Sequence, residues 1–459
     1  MTPINQIQHI NQLPTEILAR IFTLSDYERE NNSGLLVLAR VCKIWHDILF
    51  FFPHFWTHLA VTVDAKLEND GSNLPRHFDR WYGRAGDMPR SLILIFNKAP
   101  TQTRALYDYL TSARWRNLTF KLDVAGCLNF GWLDGLIVQA TRTSQLRNNT
   151  TVVPCWPDLL SLEILTPTTV YTARLSLPLK TIAPNLRHLK VHTRGIHNIP
   201  SIFDLDDKDK FADLTTFSWE GLFPTESTSF VESLLRSAPK LEVLQFHDRV
   251  DDGYSAAAVR PSIEELGLSP THHISLRELS LQWSSRSAAL ILFRLALPRL
   301  EALRLTREHK STYSTPQTTT PMTDALNALR RYSDIRAQAM GITFGIRTLR
   351  LDWQPYEDED VFTMCLSVRE TVEMITLEQT RWYWTDSVAF FDELEGLRED
   401  LGTREELFPR LKSFSVRLNQ YKKWISVSRG EEGFVLFLGS PRKWWAEVEA
   451  EAREEQERK

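Results

Sequence analysis

One short pattern, apolar-x-x-apolar-x-apolar, recurs ten times and constrains this chain more than any other feature. It reads Trp115/Leu118/Phe120, Leu159/Leu162/Ile164, Leu186/Leu189/Val191, Leu214/Phe217/Trp219 and Leu241/Leu244/Phe246. It continues as Leu276/Leu279/Leu281, Leu300/Leu303/Leu305, Ile346/Leu349/Leu351, Val372/Ile375/Leu377 and Leu411/Phe414/Val416. The last two anchors of each unit are two residues apart, which is the period of a strand with one buried face. The first anchor marks where a turn enters that strand.

The spacing sharpens the reading. The steps from 159 to 186, 186 to 214 and 214 to 241 are 27, 28 and 27 residues, and 346 to 372 is 26. A period in the twenties around this core is the leucine-rich-repeat signature. Pro157, Pro184, Pro239, Pro298 and Pro409 each stand two residues before a first anchor, where proline ends a helix and a strand's first residue needs no donor. Helical spacing of three and four appears between strands, most clearly over 228–237 and 288–297. The Asn or Cys expected three residues after the last anchor is missing: positions 167, 194, 249, 284 and 308 are Pro, Arg, Arg, Ser and Glu. Some steps stretch to 35–46 residues. The expected class is α/β (α+β): an irregular, curved leucine-rich-repeat-like β/α solenoid over 61–442. A single non-repetitive α/β domain is the alternative. A Thr/Pro-rich polar loop is expected at 306–323 and a charged helix or tail at 443–459.

Composition narrows the function classes. A net charge of −4 gives no electrostatic argument for nucleic acid or an anionic membrane. Cys42, Cys127, Cys155 and Cys365 lie far apart with no CxxC pair, which argues against a zinc site or a disulfide framework and for a reducing compartment. The N-terminus has neither a basic nor an apolar signal region, and the most apolar stretch, 35–52, carries Arg40, Lys43, His46 and Asp47, so neither signal peptide nor membrane span is expected. The Asn-x-Ser/Thr triplets at Asn31, Asn117 and Asn149 are then chance matches.

The first sixty residues read differently. Leu13-Pro14 precedes a short helical pattern in which proline suits the first turn and Glu16 the positive end of the dipole. Ile17, Leu18, Ile21, Phe22 and Leu24 exceed what so short a helix buries alone. A second helix is expected with Leu38, Val41, Cys42, Trp45, Ile48 and Leu49 on one face, stopped by Pro53. Phe55, Trp56 and Leu59 add a third apolar patch. The order Leu-Pro-x-Glu-Ile-Leu, Arg40-Val41-Cys42-Lys43-x-Trp45 and Pro53-x-x-Trp56 resembles the F-box over residues 11–60. The resemblance implies a three-helix motif that docks on a Skp-type adaptor and through it on a cullin–RING ubiquitin ligase. It implies that Leu13, Pro14, Ile17, Leu18, Ile21 and Leu38 face the adaptor, with Glu16 and Phe22 in the same motif. Val41, Cys42, Trp45 and Trp56 divide between that face and the motif's own core. A helical cap on the repeats is the alternative for this segment. Cys42, on an apolar face, reads as a small hydrophobe and not as a nucleophile.

The chain lacks G-x-S-x-G, GxxxxGK[ST], H-E-x-x-H and GxGxxG motifs. His272-His273 reads as a surface pair, and the acidic run 357–360 as a solvated loop. Trp382, Tyr383 and Trp384 form an aromatic cluster suited either to target binding or to a core. The leading expectation is a non-catalytic substrate receptor of a Skp–cullin–F-box ligase, intracellular in cytoplasm or nucleus, with no cofactor. Its partners are the adaptor and an unknown target protein, with neither nucleic acid nor membrane. A non-ligase interaction scaffold is the second reading. A hydrolase or transferase assembled from polar groups of separate repeats is the third.

Overall fold

The computed structural model describes residues 10–24, 33–63, 73–97, 104–122, 131–146, 154–166, 179–193, 211–221, 227–248, 270–283, 287–307, 320–352, 364–379, 409–418, 423–430 and 433–436. The chain forms two compact units, Met1–Pro224 and Thr225–Lys459. The first opens with helices α1 (Thr15–Leu24), α2 (Ser33–Leu38) and α3 (Lys43–Phe51) and a 3₁₀ turn, Pro53–Trp56. Six parallel strands follow: β1 (His58–Val63), β2 (Arg90–Phe96), β3 (Trp115–Leu122), β4 (Ser161–Thr166), β5 (His188–Thr193) and β6 (Thr216–Gly221). Helices α4 (Asn73–Tyr82), α5 (Arg104–Ser112), α6 (Gly131–Leu146) and α7 (Leu179–Ile182) lie between them in the chain.

The register explains the sequence pattern. Leu59, Leu92, Leu118, Leu162, Leu189 and Phe217 pair in one row across the first sheet, and Val61, Leu94, Phe120, Ile164, Val191 and Trp219 in the next. Both rows are buried. A one-residue slip would turn every anchor of a strand to the other face, so the rows fix the register. Strands β1 and β2 lie ahead of the ten expected units, yet Trp56/Leu59/Val61 carries the same spacing.

The second unit repeats this arrangement. Strands β7 (Val243–Asp248), β9 (Glu278–Trp283), β11 (Ala302–Arg307), β12 (Thr348–Asp352), β13 (Met374–Gln379) and β14 (Ser413–Leu418) are parallel neighbours in that order, and β8 (Thr271–His272) pairs with β10 (Leu295–Ala296). Leu244, Leu279, Leu303, Leu349, Ile375 and Phe414 share a row. The parallel order ends there: β15 (Lys423–Gly430) and β16 (Gly433–Leu436) run antiparallel. Helices α8 (Ser227–Ser237), α9 (Ser287–Phe293) and α10 (Thr320–Ala339) belong to this unit.

Several expectations need correcting. The recurring prolines do not stand at a strand's first residue. Pro157, Pro184, Pro239 and Pro298 each lie within a four-residue turn, in which the amide of Leu159, Leu186, Leu241 or Leu300 donates to the carbonyl of Trp156, Ala183, Ala238 or Leu297 at 3.0–3.3 Å. Proline suits the second position of that turn because its φ is preset. The helix expected over 288–297 ends at Phe293, because Leu295–Ala296 pairs with Thr271–His272. The 306–323 loop is shorter at both ends: Thr306 and Arg307 finish β11, and 320–323 open α10. His273 is 3% exposed, not a surface histidine. Its Nδ1 accepts from the amide of Leu276 at 3.1 Å while Nε2 donates to the Ala238 carbonyl at 2.9 Å.

The residues just after the first anchors form a row at the strand entrances. In the second unit it reads Glu242, Arg277, Glu301, Arg347, Glu373, Lys412, alternating in sign. Each carbonyl from Glu242 to Glu373 accepts two amides of the next strand, as when Glu242 O takes Arg277 N–H (2.8 Å) and Glu278 N–H (3.0 Å). Neighbouring strands thus meet opposite charges. Lys412 Nζ stands 2.7 Å from Glu373 Oε2, and this hydrogen bond holds the Glu373 carboxyl below its usual range.

Candidate functional site

The N-terminal helices bury one set of apolar residues and leave another outside. Pro14 precedes α1, and its carbonyl accepts the amides of Ile17 and Leu18, both at 3.0 Å, so proline occupies the N-cap and not the first turn. Leu18, Ala19 and Phe22 face inward. Phe22 meets Trp45 at 4.8 Å between ring centroids, and the Trp45 indole donates to Asn11 Oδ1 at 2.8 Å. Ile48, Leu49 and Trp56 complete this small core.

The expected continuous helix through 38–49 is broken. Helix α2 stops at Leu38 and α3 starts at Lys43. Cys42 between them is extended (φ −159°, ψ 168°) and its carbonyl accepts the amide of His46 at 3.0 Å. The break turns Val41 outward, 56% exposed. Ile17, Ile21, Leu36, Val37 and Ile44 are exposed as well. Pro14 and Glu16 are also exposed, while Leu13, Leu38, Cys42 and Trp45 are half-buried. Leu18, expected to face an adaptor, is fully buried, as are Phe22 and Trp56. Val37 and Ile44 escaped the sequence reading, although they stand four and three residues from Val41.

Trp56 ties this segment to the sheet. Its indole donates to the Leu49 carbonyl at 2.9 Å, and its ring meets Trp81 of α4 nearly edge-on at 4.8 Å. The Arg84 guanidinium lies 4.4 Å from the Trp56 ring and 4.9 Å from that of Phe50. The Trp81 indole donates to the His58 carbonyl at 3.0 Å, and the Thr57 carbonyl accepts the amide of Ser91 at 2.8 Å. The alternative reading of these helices as a cap on the first strands therefore has a physical basis too.

Residues 10–62 match the family model described as F-box-like. This segment is an F-box-like domain. F-box domains typically bind Skp-type adaptors and generally belong to non-catalytic proteins. No curated protein matches the chain.

Elsewhere, Trp382, Tyr383 and Trp384 lie outside the described residues, as do the acidic run 357–360 and the tail 443–459. Among the described residues no group of three or more His, Cys, Asp or Glu is placed to hold a metal, and no helix is long and apolar enough to cross a membrane. Burial pushes the Cys365 thiol up to about 12, which keeps it protonated and unreactive. One polar cluster does gather residues from separate strands, as the third reading requires. His192 on β5 lies between Ser218 and Glu220 on β6, with Nδ1 2.9 Å from Glu220 Oε2 and Nε2 3.3 Å from Ser218 Oγ.

Proposed function

We propose that this chain is the substrate-receptor subunit of a Skp–cullin–F-box ubiquitin ligase. The observation that carries the proposal is the F-box-like match over residues 10–62 together with an exposed apolar surface on those helices. Several large aliphatic side chains exposed together on one small domain are the kind of surface that a partner protein covers. Leu13, Pro14, Glu16, Ile17, Ile21, Leu38, Val41, Cys42 and Trp45 form the adaptor face, extended by Val37 and Ile44. Leu18, Phe22 and Trp56 support it from beneath. Residues 61–442 act as an irregular leucine-rich-repeat-like solenoid that selects a target, with Trp382, Tyr383 and Trp384 as candidate contacts. The chain is intracellular and leaves catalysis to other subunits of the ligase.

The test is retention on immobilised purified Skp-type adaptor. Wild type is retained, and a Leu13→Ala/Pro14→Ala variant is retained far less. Equal retention of the two, or retention of neither, refutes the reading. A non-ligase scaffold also binds adaptor, so the two readings part at the next step. Deleting a receptor lengthens the lifetime of some partner protein, whereas deleting a scaffold does not.

A further inference from the structure

We infer that Ser218 is an activated nucleophile, with His192 as its general base and Glu220 as the residue that positions the base. The inference is independent of the adaptor reading. The groups come from neighbouring strands whose register places His192 opposite Glu220 and Lys190 opposite Ser218. All four project from the sheet face opposite the buried Phe217 and Trp219. Glu220 can only accept, so in the neutral imidazole the proton sits on Nδ1 at 2.9 Å from the carboxylate. Nε2 is then an acceptor, and the Ser218 hydroxyl 3.3 Å away is the donor it meets. Nucleophile, base and orienting carboxylate in this order are the arrangement that activates a serine. Lys190 is the register partner of Ser218 on the adjacent strand, whose backbone lies roughly 4.8 Å away by ladder spacing.

The second unit contains a neutral counterpart. His247 Nε2 stands 3.4 Å from Ser280 Oγ, with Gln282 in register with His247 and Gln245 in register with Ser280. Amides thus replace both Glu220 and Lys190. The paired geometry recurs, and only the first copy carries the charges that activation needs.

The substrate class is a small activated carboxylic ester, because Ser218 is 5% exposed and admits only a compact electrophile. Oγ bonds to the carbonyl carbon as its proton passes to His192 Nε2. The bond from carbon to the leaving oxygen then breaks, and that oxygen takes the proton from His192. The product is an acyl ester on Ser218 and a free alcohol. A small fluorophosphonate probes the same steps: Oγ–P forms, P–F breaks, fluoride leaves and the proton stays with His192.

The full-length chain is treated with such a fluorophosphonate and the adducts are mapped by mass spectrometry. Wild type carries the adduct on Ser218, roughly 10²-fold faster than on Ser280. The Ser218→Ala and His192→Gln variants lose it while keeping the wild-type circular dichroism melt. Glu220→Gln slows labelling at least ~10-fold and moves the midpoint of its pH profile down, because the carboxylate that favoured imidazolium is gone. A merely structural Glu220 would leave that midpoint in place. Absence of adduct on wild-type Ser218, or equal labelling of Ser280, overturns the inference and leaves the cluster as a hydrogen-bonded link between strands.

Discussion

The helices at 15–51 and the strand rows that follow use the same kinds of residue in opposite ways. Val41 is 56% exposed and Phe51 77%, while Leu279 and Leu349 are not exposed at all. Burying an aliphatic side chain is worth about 1.5–3 kcal/mol, and the rows collect that within the chain. The helical segment leaves the same gain available to a partner. The contrast teaches that apolar content alone does not separate core from interface, whereas fixed register does. A row whose register is locked on both sides has nowhere to turn its anchors except inward.

The contrast breaks most visibly at the row anchors and their supports. Trp156 is fully buried, and its indole donates to the Leu110 carbonyl, which also accepts the Trp115 indole, each at 2.8 Å. Trp156→Ala is expected to cost about 3–5 kcal/mol, read as a drop in denaturation midpoint. Leu279→Ala, in the second unit, should cost about 2–5 kcal/mol by the same measurement. Loss of under ~1 kcal/mol at either position would mean that the rows do not carry the fold. The exposed set should behave in the reverse way. Ile17→Asp/Val41→Asp changes stability by less than about 0.5 kcal/mol, since neither side chain is buried, and an unchanged thermal melt checks it.

His273 supplies a smaller effect with a definite sign. Burial lowers its pKa below the ordinary 6.5, partly offset by the hydrogen bond to the Ala238 carbonyl. The unfolded chain therefore binds a proton more readily, and stability falls as pH drops from about 6.5 through the folded value. The contribution is at most ~1.4 kcal/mol per pH unit, and it should vanish in His273→Ala when unfolding is followed between pH 7 and 5. A modest effect is expected at the turns: Pro239→Ala should cost about 0.4–1 kcal/mol, through the unfolded chain. An unaltered denaturation midpoint would show that the preset turn is dispensable.

Much of the fold was legible because its signal is local and repeated. All ten expected units coincide with strands, since two anchors two residues apart suffice to define a buried strand face. Strands β1 and β2 were legible by the same rule but lay outside the stretch where the spacing is regular. The break at Cys42 was not legible, because Leu38, Trp45 and Leu49 keep helical spacing across a turn that interrupts the helix. Helix α10 hid behind its polar Thr/Pro flank, although Met322, Leu326 and Leu329 carry its period. In the F-box-like segment the motif residues could be named, but not their sides. Leu18 and Ile17 are chain neighbours, and only the packing of the folded segment buries one and leaves the other exposed. The His192–Ser218–Glu220 cluster required the register of two strands, which no single window of sequence contains.

The central claim is that the exposed apolar residues of 15–51 are an adaptor-binding face and the strand rows are not. Calorimetric titration of purified Skp-type adaptor into the full-length chain tests it most directly, with wild type, Ile17→Asp/Val41→Asp and Leu279→Ala side by side. Wild type and Leu279→Ala, the latter measured below its melting temperature, should bind alike, while the double variant loses at least ~10-fold in affinity, about 1.4 kcal/mol. Equal binding by wild type and the folded double variant would contradict the claim.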